Sequence, residues 1–71
     1  MSIQHPISNI QTKAKNGISA CYKNIGLVHS YQGSYANALE YYLKSLKIDE
    51  ELQDKKGMSA CYNNIGNVHL Y

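Results

Sequence analysis

Apolar residues recur along the first part of this chain at spacings of three and four, and this predicts an α-helix rather than a strand. Pro6 suits the first turn of such a helix, because its ring fixes φ and its missing N–H is not needed there. A helix that starts near residues 5–6 is therefore favoured, and the stripe allows one long helix from about residue 7 to about residue 32, with Gly17 as its weak point. The apolar stripe consists of Ile3, Ile7, Ile10, Ala14, Ile18, Cys21, Ile25 and Val28.

A second stripe predicts an amphipathic helix of about five turns in the middle of the chain. Asp49, Glu50 and Glu51 are interpreted as part of its solvated side. Gly33 suits the left-handed residue that ends the first helix, and Ser34 suits the N-cap of the second. So short a corner makes the two helices antiparallel. The apolar side of the second helix is predicted to hold Tyr35, Ala38, Leu39, Tyr42, Leu46 and Leu52.

The third predicted helix is a near copy of part of the first. Residues 57–71 read GMSACYNNIGNVHLY and residues 17–31 read GISACYKNIGLVHSY, with eleven of fifteen positions identical. An offset of forty residues is typical of stacked helical repeats. The chain is therefore divided into an N-terminal extension or helical cap (1–16), a complete repeat (17–56) and the first helix of a second repeat (57–71).

The connection to the third helix also has a recognisable start signal. Asp54 is predicted to be the N-cap of this helix, which would run from about residue 55. Because the second repeat stops after one helix, the chain is expected to be an N-terminal portion of a longer array.

Gly26 and its repeat equivalent Gly66 stand in mid-helix, where glycine costs about 1 kcal/mol relative to alanine. Because a missing Cβ lets two helices approach closely, both are interpreted as packing residues. Gly26 is expected to lie opposite Ala38 and Ser45 of the second helix. The stripe that faces the second helix is predicted to be Tyr22, Ile25, Gly26 and His29.

The order of residues in the complete repeat resembles a known family. It reads Tyr22-x-x-Ile25-Gly26-x-x-His29, then Gly33, Tyr35, Ala38-x-x-x-Tyr42 and Ser45. The tetratricopeptide repeat (TPR) has a similar signature of an aromatic residue, Leu-Gly and Tyr, followed by Ala-x-x-x-Phe and Pro. This chain departs from that signature in its forty-residue period and in Glu50, which stands in place of the Pro.

Both departures are similar to a longer-helix branch of the TPR family, that of the LGN/Pins spindle scaffolds and many bacterial signalling proteins. The Asn63–Asn67 string and the Asp-Lys-Lys-Gly connector at 54–57 also resemble that branch. Over residues 17–71 the resemblance implies an all-α fold of antiparallel helical hairpins, here an A-B-A fragment of an α-solenoid. It implies a non-enzymatic scaffold for protein–protein interaction.

Composition and charge argue against several other classes. Seven Lys against five acidic residues give a net charge of +2 with no Arg, which is too weak and scattered for a nucleic-acid surface. No apolar run approaches the ~20 residues of a membrane span, and the N-terminus does not resemble a secretory signal. We expect no nucleic-acid partner, no membrane partner and a cytoplasmic location, which unpaired thiols also favour.

The cysteines and histidines recur by repetition instead of converging on one site. Cys21 and Cys61 are about 10 Å apart at ordinary helix-packing distances, beyond the ~7 Å that a disulfide spans. Both are interpreted as core thiols. His29 and His69, equally separated, are too far apart to bind one metal ion and are interpreted as packing residues. We therefore predict no catalytic residue, no metal and no cofactor.

One side of the A helices is interpreted as functional, because in the TPR family this side lines a groove that holds an extended peptide. Asn both donates and accepts hydrogen bonds, so it pairs with the backbone of any peptide sequence, and Lys23 would attract an acidic group. The alternative is that these are ordinary solvated residues. The predicted peptide-binding residues are Lys23, Asn24, Leu27, Tyr31, Asn63, Asn64 and Asn67.

The alternative function is self-assembly. The sequence supplies no helix B to cover the third helix, and each large apolar side chain left in water forfeits about 1.5–3 kcal/mol. A second copy would supply that cover, so a homo-oligomer, most simply a twofold dimer, is expected. A third possibility is a sensory unit that controls a catalytic domain outside this sequence. The predicted oligomer interface is Tyr62, Ile65, Gly66 and His69.

Overall fold

Three α-helices make up the described part of the chain, and the middle one separates the other two. The computed structural model describes residues 6–69, with side chains described for residues 10–68. The helices are α1 (Pro6–Tyr31), α2 (Tyr35–Leu52) and α3 (Lys55–His69). α2 packs along α1 on one side and against α3 on the other, whereas α1 and α3 barely touch. The all-α prediction is confirmed.

α1 is one unbroken helix of 26 residues that begins at Pro6, as the sequence predicts. Gly17 does not interrupt it, and a Cβ at that position would meet nothing within 4 Å. Residues 6–16 therefore continue into the first repeat as a single helix, while Ile3 of the predicted stripe lies outside the described residues. Within residues 6–69, no helix is both long and apolar enough to cross a membrane.

The first corner follows the predicted turn. Gly33 has φ 81°, and its N–H donates to the Ser30 carbonyl at 3.0 Å, while the Ser34 N–H donates to the His29 carbonyl at 2.8 Å. This pair of bonds is a Schellman motif, which satisfies carbonyls left open at a helix end. Ser34 stands at the N-cap of α2, but its side chain makes no capping hydrogen bond.

The second corner has the same bond pattern around a residue other than glycine. Gln53 has φ 56°; its N–H donates to the Glu50 carbonyl at 3.1 Å, and the Asp54 N–H donates to the Asp49 carbonyl at 2.9 Å. Asp54 Oδ1 then accepts the N–H of Gly57 at 3.0 Å. The predicted N-cap of α3 is confirmed.

The hydrophobic core is formed by residues of α2 and α3. Ala38 and Tyr42 of this helix are buried together with Val68 of α3, and Ile65 packs against the same cluster. The core therefore joins the complete repeat to the helix that follows it.

Gly26 allows the close approach of α1 and α2. A Cβ at this position would lie 2.7 Å from Tyr42 Cε1 and 3.2 Å from the Ala38 carbonyl oxygen. The predicted packing against Ala38 is thus correct, and the nearest side chain is the buried Tyr42 ring, which the prediction did not name. At Gly66, the repeat equivalent, a Cβ would meet nothing within 4 Å.

α1 and α3 turn different faces toward α2, although their sequences are nearly the same. Ser19 and Gly26 of α1 are buried on α2, whereas the equivalent Ser59 and Gly66 of α3 are exposed. An A helix in this fold therefore has two packing faces, and each copy has only one of them covered within the described residues.

The face that α2 covers in α3 but leaves open in α1 explains two errors in the sequence-based interpretation. Cys61 and Val68 of α3 are buried against α2, whereas the equivalent Cys21 is exposed and Val28 is 53% exposed. The interpretation of Cys21 as a core thiol is wrong, because no described helix covers that side of α1. Ile25, predicted to face α2, is 39% exposed on the same side.

Candidate functional site

A pocket of about 460 Å³ opens where the C-terminal part of α1 meets α2 and α3. Its volume falls within the roughly 300–1,000 Å³ range of pockets that hold small ligands. None of its lining side chains is an acid, a lysine or a histidine. The lining residues are Leu27, Ser30, Tyr31, Tyr35, Tyr42, Asn64 and Asn67.

The pocket brings together residues that are far apart in sequence. Four of the seven predicted peptide-binding residues line it, and they come from both A helices. Asn24 and Asn63 are exposed and lie outside the lining. Lys23 also lies outside it and pairs with Asp49. The four lining residues are Leu27, Tyr31, Asn64 and Asn67.

Sequence reasoning missed the contribution of α2 to the pocket. Tyr35 and Tyr42 line it, although the apolar pattern predicts both only for the packing side of their helix. The Tyr42 ring occupies the space that a Cβ on Gly26 would need. The available signal was the combination of a mid-helix glycine in one helix and a large aromatic residue in its partner.

A buried polar cluster joins all three helices on the side of Asp49. This carboxylate is 1% exposed. Its Oδ1 accepts a hydrogen bond from Ser19 Oγ at 2.7 Å, and its Oδ2 accepts one from Lys23 Nζ at 2.7 Å. The buried polar cluster consists of Ser19, Lys23, Ser45, Asp49 and Cys61.

The two serines of the cluster tie α1 to α2. Ser19 Oγ lies 2.6 Å from Ser45 Oγ, and Ser45 Oγ lies 3.0 Å from the Ser19 carbonyl. A hydroxyl donates only one hydrogen bond. When Ser19 Oγ donates to the Asp49 carboxylate, the Ser45 hydroxyl donates to an oxygen of Ser19. Cys61 Sγ of α3 lies 3.5 Å from both Ser45 Oγ and Asp49 Oδ2, which brings the third helix into the cluster.

The cluster keeps Asp49 ionised. Burial alone would raise the pKa of this carboxyl, but the hydrogen bonds from Lys23 and Ser19 and the Lys23 charge outweigh it, so the pKa is lowered. Burial raises the pKa of the Cys61 thiol. At neutral pH the cluster therefore holds one carboxylate, one ammonium and a protonated thiol.

The interpretation of Asp49 as part of a solvated face is wrong. Ala38, Tyr42, Ser45 and Asp49 follow one another at spacings of four, three and four, so they share one buried side of α2. That spacing was the available signal, and the charge of the residue concealed it. The neighbouring Glu50 is exposed, as is Glu51.

Lys23 forms an ion pair with a buried acid and does not line the pocket. Its ammonium is balanced by the Asp49 carboxylate at 2.7 Å, and its side chain is 20% exposed. The lysine that was predicted to attract an acidic group of a peptide is thus already paired with an acid of the chain itself.

Aromatic rings pack along the α1–α2 interface outside the core cluster. His29 stacks on Tyr41 with ring centroids 5.5 Å apart, and Tyr22 lies 5.9 Å from the same ring. Lys44 Nζ lies 4.9 Å from the Tyr41 centroid, within cation–π range. The stacking indicates a packing role for His29, and the described side chains contain no group of three metal-binding residues.

The predicted oligomer interface is only partly uncovered. Tyr62 is 57% exposed, and Gly66 is open as described above. Ile65 is half-buried against the core on α2. The side chain of His69 lies outside the described residues.

The two thiols are expected to differ sharply in reactivity. Cys21 is exposed, whereas Cys61 is buried and the raised pKa of its thiol reduces the reactive thiolate. Alkylation with iodoacetamide near neutral pH, followed by mass spectrometry, should add one group rapidly and a second only after denaturation. Cys21→Ser should remove the rapid phase, and equal rates for both thiols would contradict the packing of α3 on α2.

The family model described as tetratricopeptide repeat matches residues 18–71, which is 54 of the 71 residues. No curated protein and no solved structure matches the chain significantly.

Proposed function

Because this chain belongs to the tetratricopeptide repeat family, we propose that it is a protein-interaction module that binds an extended peptide in the pocket described above. The family consists of non-enzymatic scaffolds in general, and the proposal assigns this chain no catalytic step. The forty-residue period favours the longer-helix branch similar to the LGN/Pins repeats. Two unbridged thiols suit a reducing compartment, and we propose the cytoplasm.

The main support for this pocket as the binding site is that both repeats contribute an equivalent position to it. Leu27 and Asn67 occupy equivalent positions in the two repeats, forty residues apart, and both line the same cavity. A surface that recurs with the repeat and is open to solvent suits a ligand that runs across successive repeats. An extended peptide has that shape.

The polar residues of α3 suit the main chain of such a peptide. Asn64 and Asn67 each provide an amide donor and a carbonyl acceptor, and both line the pocket from α3. A peptide lying along α3 would exchange N–H and C=O bonds with them. These bonds do not depend on the side chains of the peptide.

The test compares two pairs of asparagines. Asn64→Ala with Asn67→Ala should weaken binding of blocked peptides, each about seven residues long, by about tenfold, since two net hydrogen bonds are lost. Binding is measured by fluorescence anisotropy against a random peptide library, and the melting temperature by circular dichroism. The thermal transition should remain unchanged.

The matched control uses the asparagines outside the lining. Asn24→Ala with Asn63→Ala removes the same two groups from exposed positions and should leave binding unchanged. Equal losses in both double variants, or no peptide binding by the parent chain, would contradict the proposal.

Self-assembly is a second candidate, favoured by the uncovered face of α3. Tyr62 is 57% exposed and Gly66 is open, whereas their equivalents Tyr22 and Gly26 lie at the α1–α2 interface. Both sides of α2 that pack on A helices are already occupied within the chain. We therefore favour two copies that stack their α3 faces about a twofold axis over an exchange of helices.

This second candidate is tested by mass. Sedimentation from about 10 to about 500 µM should show the chain of 8.0 kDa passing from monomer to dimer, because association depends on concentration. Tyr62→Lys should keep it monomeric. Leu43→Lys, at an exposed site on α2, should not. A parent chain that stays monomeric throughout would rule this candidate out.

A further inference from the structure

We infer that the pocket selects an uncharged peptide segment and receives one apolar or aromatic side chain of it, rather than an acidic group. This inference rests on the proposed function of the same pocket and adds the chemical class of its ligand. It reverses the expectation that Lys23 would attract a carboxylate.

The first support is the charge of the lining. Its seven residues are three tyrosines, one leucine, one serine and two asparagines, so the lining contains no acid, lysine or histidine. A carboxylate moved from water into such a lining loses hydration and gains no cation in return. An apolar side chain loses nothing of this kind.

The second support is the state of Lys23. Its ammonium lies 2.7 Å from Asp49 Oδ2 and 3.4 Å from Ser19 Oγ, on the α2 side of α1. An acidic ligand that recruited this ammonium would leave Asp49, which is 1% exposed, as a buried carboxylate without its cation. The lysine therefore stays paired within the buried polar cluster and is not available to an acidic ligand.

The third support is the chemistry that each helix contributes to the lining. α1 and α2 contribute Leu27, Tyr31, Tyr35 and Tyr42 besides Ser30, whereas α3 contributes the two amides of Asn64 and Asn67. Aromatic and aliphatic surfaces favour a side chain such as Phe or Leu. The asparagines then face the peptide main chain beside that side chain.

The experiment uses a library of blocked peptides, each about seven residues long, in pools that differ only in a fixed central residue. Pools with Phe, Tyr, Leu or Ile should bind at least about tenfold more tightly than pools with Asp or Glu. Their affinity should change less than about twofold between 50 and 200 mM NaCl, because no charge is involved.

A pair of variants locates the selection in the pocket. Leu27→Asn copies the residue of the equivalent position in α3 and should reduce the preference for apolar pools by about fivefold. Leu43→Asn, a similar change at an exposed site outside the lining, should leave the preference unchanged.

The outcomes separate the inference from the function beneath it. Tighter binding of the Asp and Glu pools, or equal binding of all pools, would overturn the inference and leave the peptide-binding function standing. A chain that binds no pool would overturn both.

Discussion

Lys23→Met is expected to destabilise the fold by about 3 kcal/mol, near the lower end of what breaking a buried ion pair costs, since Lys23 is partly exposed. The variant leaves Asp49 as a buried carboxylate with no cation. A domain of this size has a total stability of only about 4–10 kcal/mol, so the loss is large. Urea denaturation followed by circular dichroism measures it.

The repeat supplies a matched control for this change. Asn63 is the equivalent of Lys23 in α3 and is exposed, so Asn63→Met should change the free energy of unfolding by no more than about 0.5 kcal/mol. Similar losses in the two variants would show that the ion pair with Asp49 contributes little to the fold.

The pH dependence of the same variant tests the cause. In the parent chain the folded pKa of Asp49 lies below its unfolded value, so its stabilisation is complete above about pH 4 and is lost as the pH falls through the folded pKa. In Lys23→Met, burial acts without the cation and should raise that pKa. The variant should therefore gain stability as the pH is lowered toward 5, and a loss there would contradict the assignment.

Gly26→Leu is expected to cost about 3 kcal/mol or to prevent folding, at the upper end of overpacking effects. Even the Cβ of this side chain would lie 2.7 Å from the Tyr42 ring, and Tyr42 is 1% exposed and cannot yield easily. For the same reason Gly26→Ala should also lower the melting temperature, despite the better helix propensity of alanine.

The same substitution at Gly66 should have the opposite sign. A Cβ there meets nothing within 4 Å, so Gly66→Leu should gain up to about 1 kcal/mol of helix propensity. Thermal unfolding of the two variants beside the parent is the measurement. If Gly26→Leu melts at or above the parent temperature, the close approach of α1 and α2 is wrong.

The helices and corners were predictable from the sequence because their causes are local. The spacing of apolar residues located α1 and α2, and a near copy of the α1 pattern located α3. The left-handed preference of Gly33 and the capping side chain of Asp54 located the corners. Each of these signals acts within a few residues of the chain, so no knowledge of the neighbouring helix was needed.

The buried polar cluster was not predictable in the same way. Asp49 reads as a surface residue by its charge, and only its place on the buried side of α2 corrects that interpretation. Lys23 and Asp49 are 26 residues apart, and their pairing depends on how α1 and α2 align. Such alignment is a tertiary property that a local pattern does not specify.

The repeat also concealed which face of each A helix would be covered. Cys21 and Cys61 have the same neighbours in sequence, so sequence reasoning treated them alike. In the structure α2 covers Cys61 and leaves Cys21 exposed, because α2 packs on opposite faces of the two A helices. Three of the seven predicted peptide-binding residues, Lys23, Asn24 and Asn63, lie outside the pocket.

Nuclear magnetic resonance of the side-chain amides tests the peptide-binding pocket most directly. The ¹⁵N-labelled chain is titrated with the tightest-binding blocked peptide from the library. The account predicts that the amide signals of Asn64 and Asn67 shift on binding, while those of Asn24 and Asn63 stay in place. Shifts confined to Asn24 and Asn63, or to the α3 face around Tyr62, would contradict it.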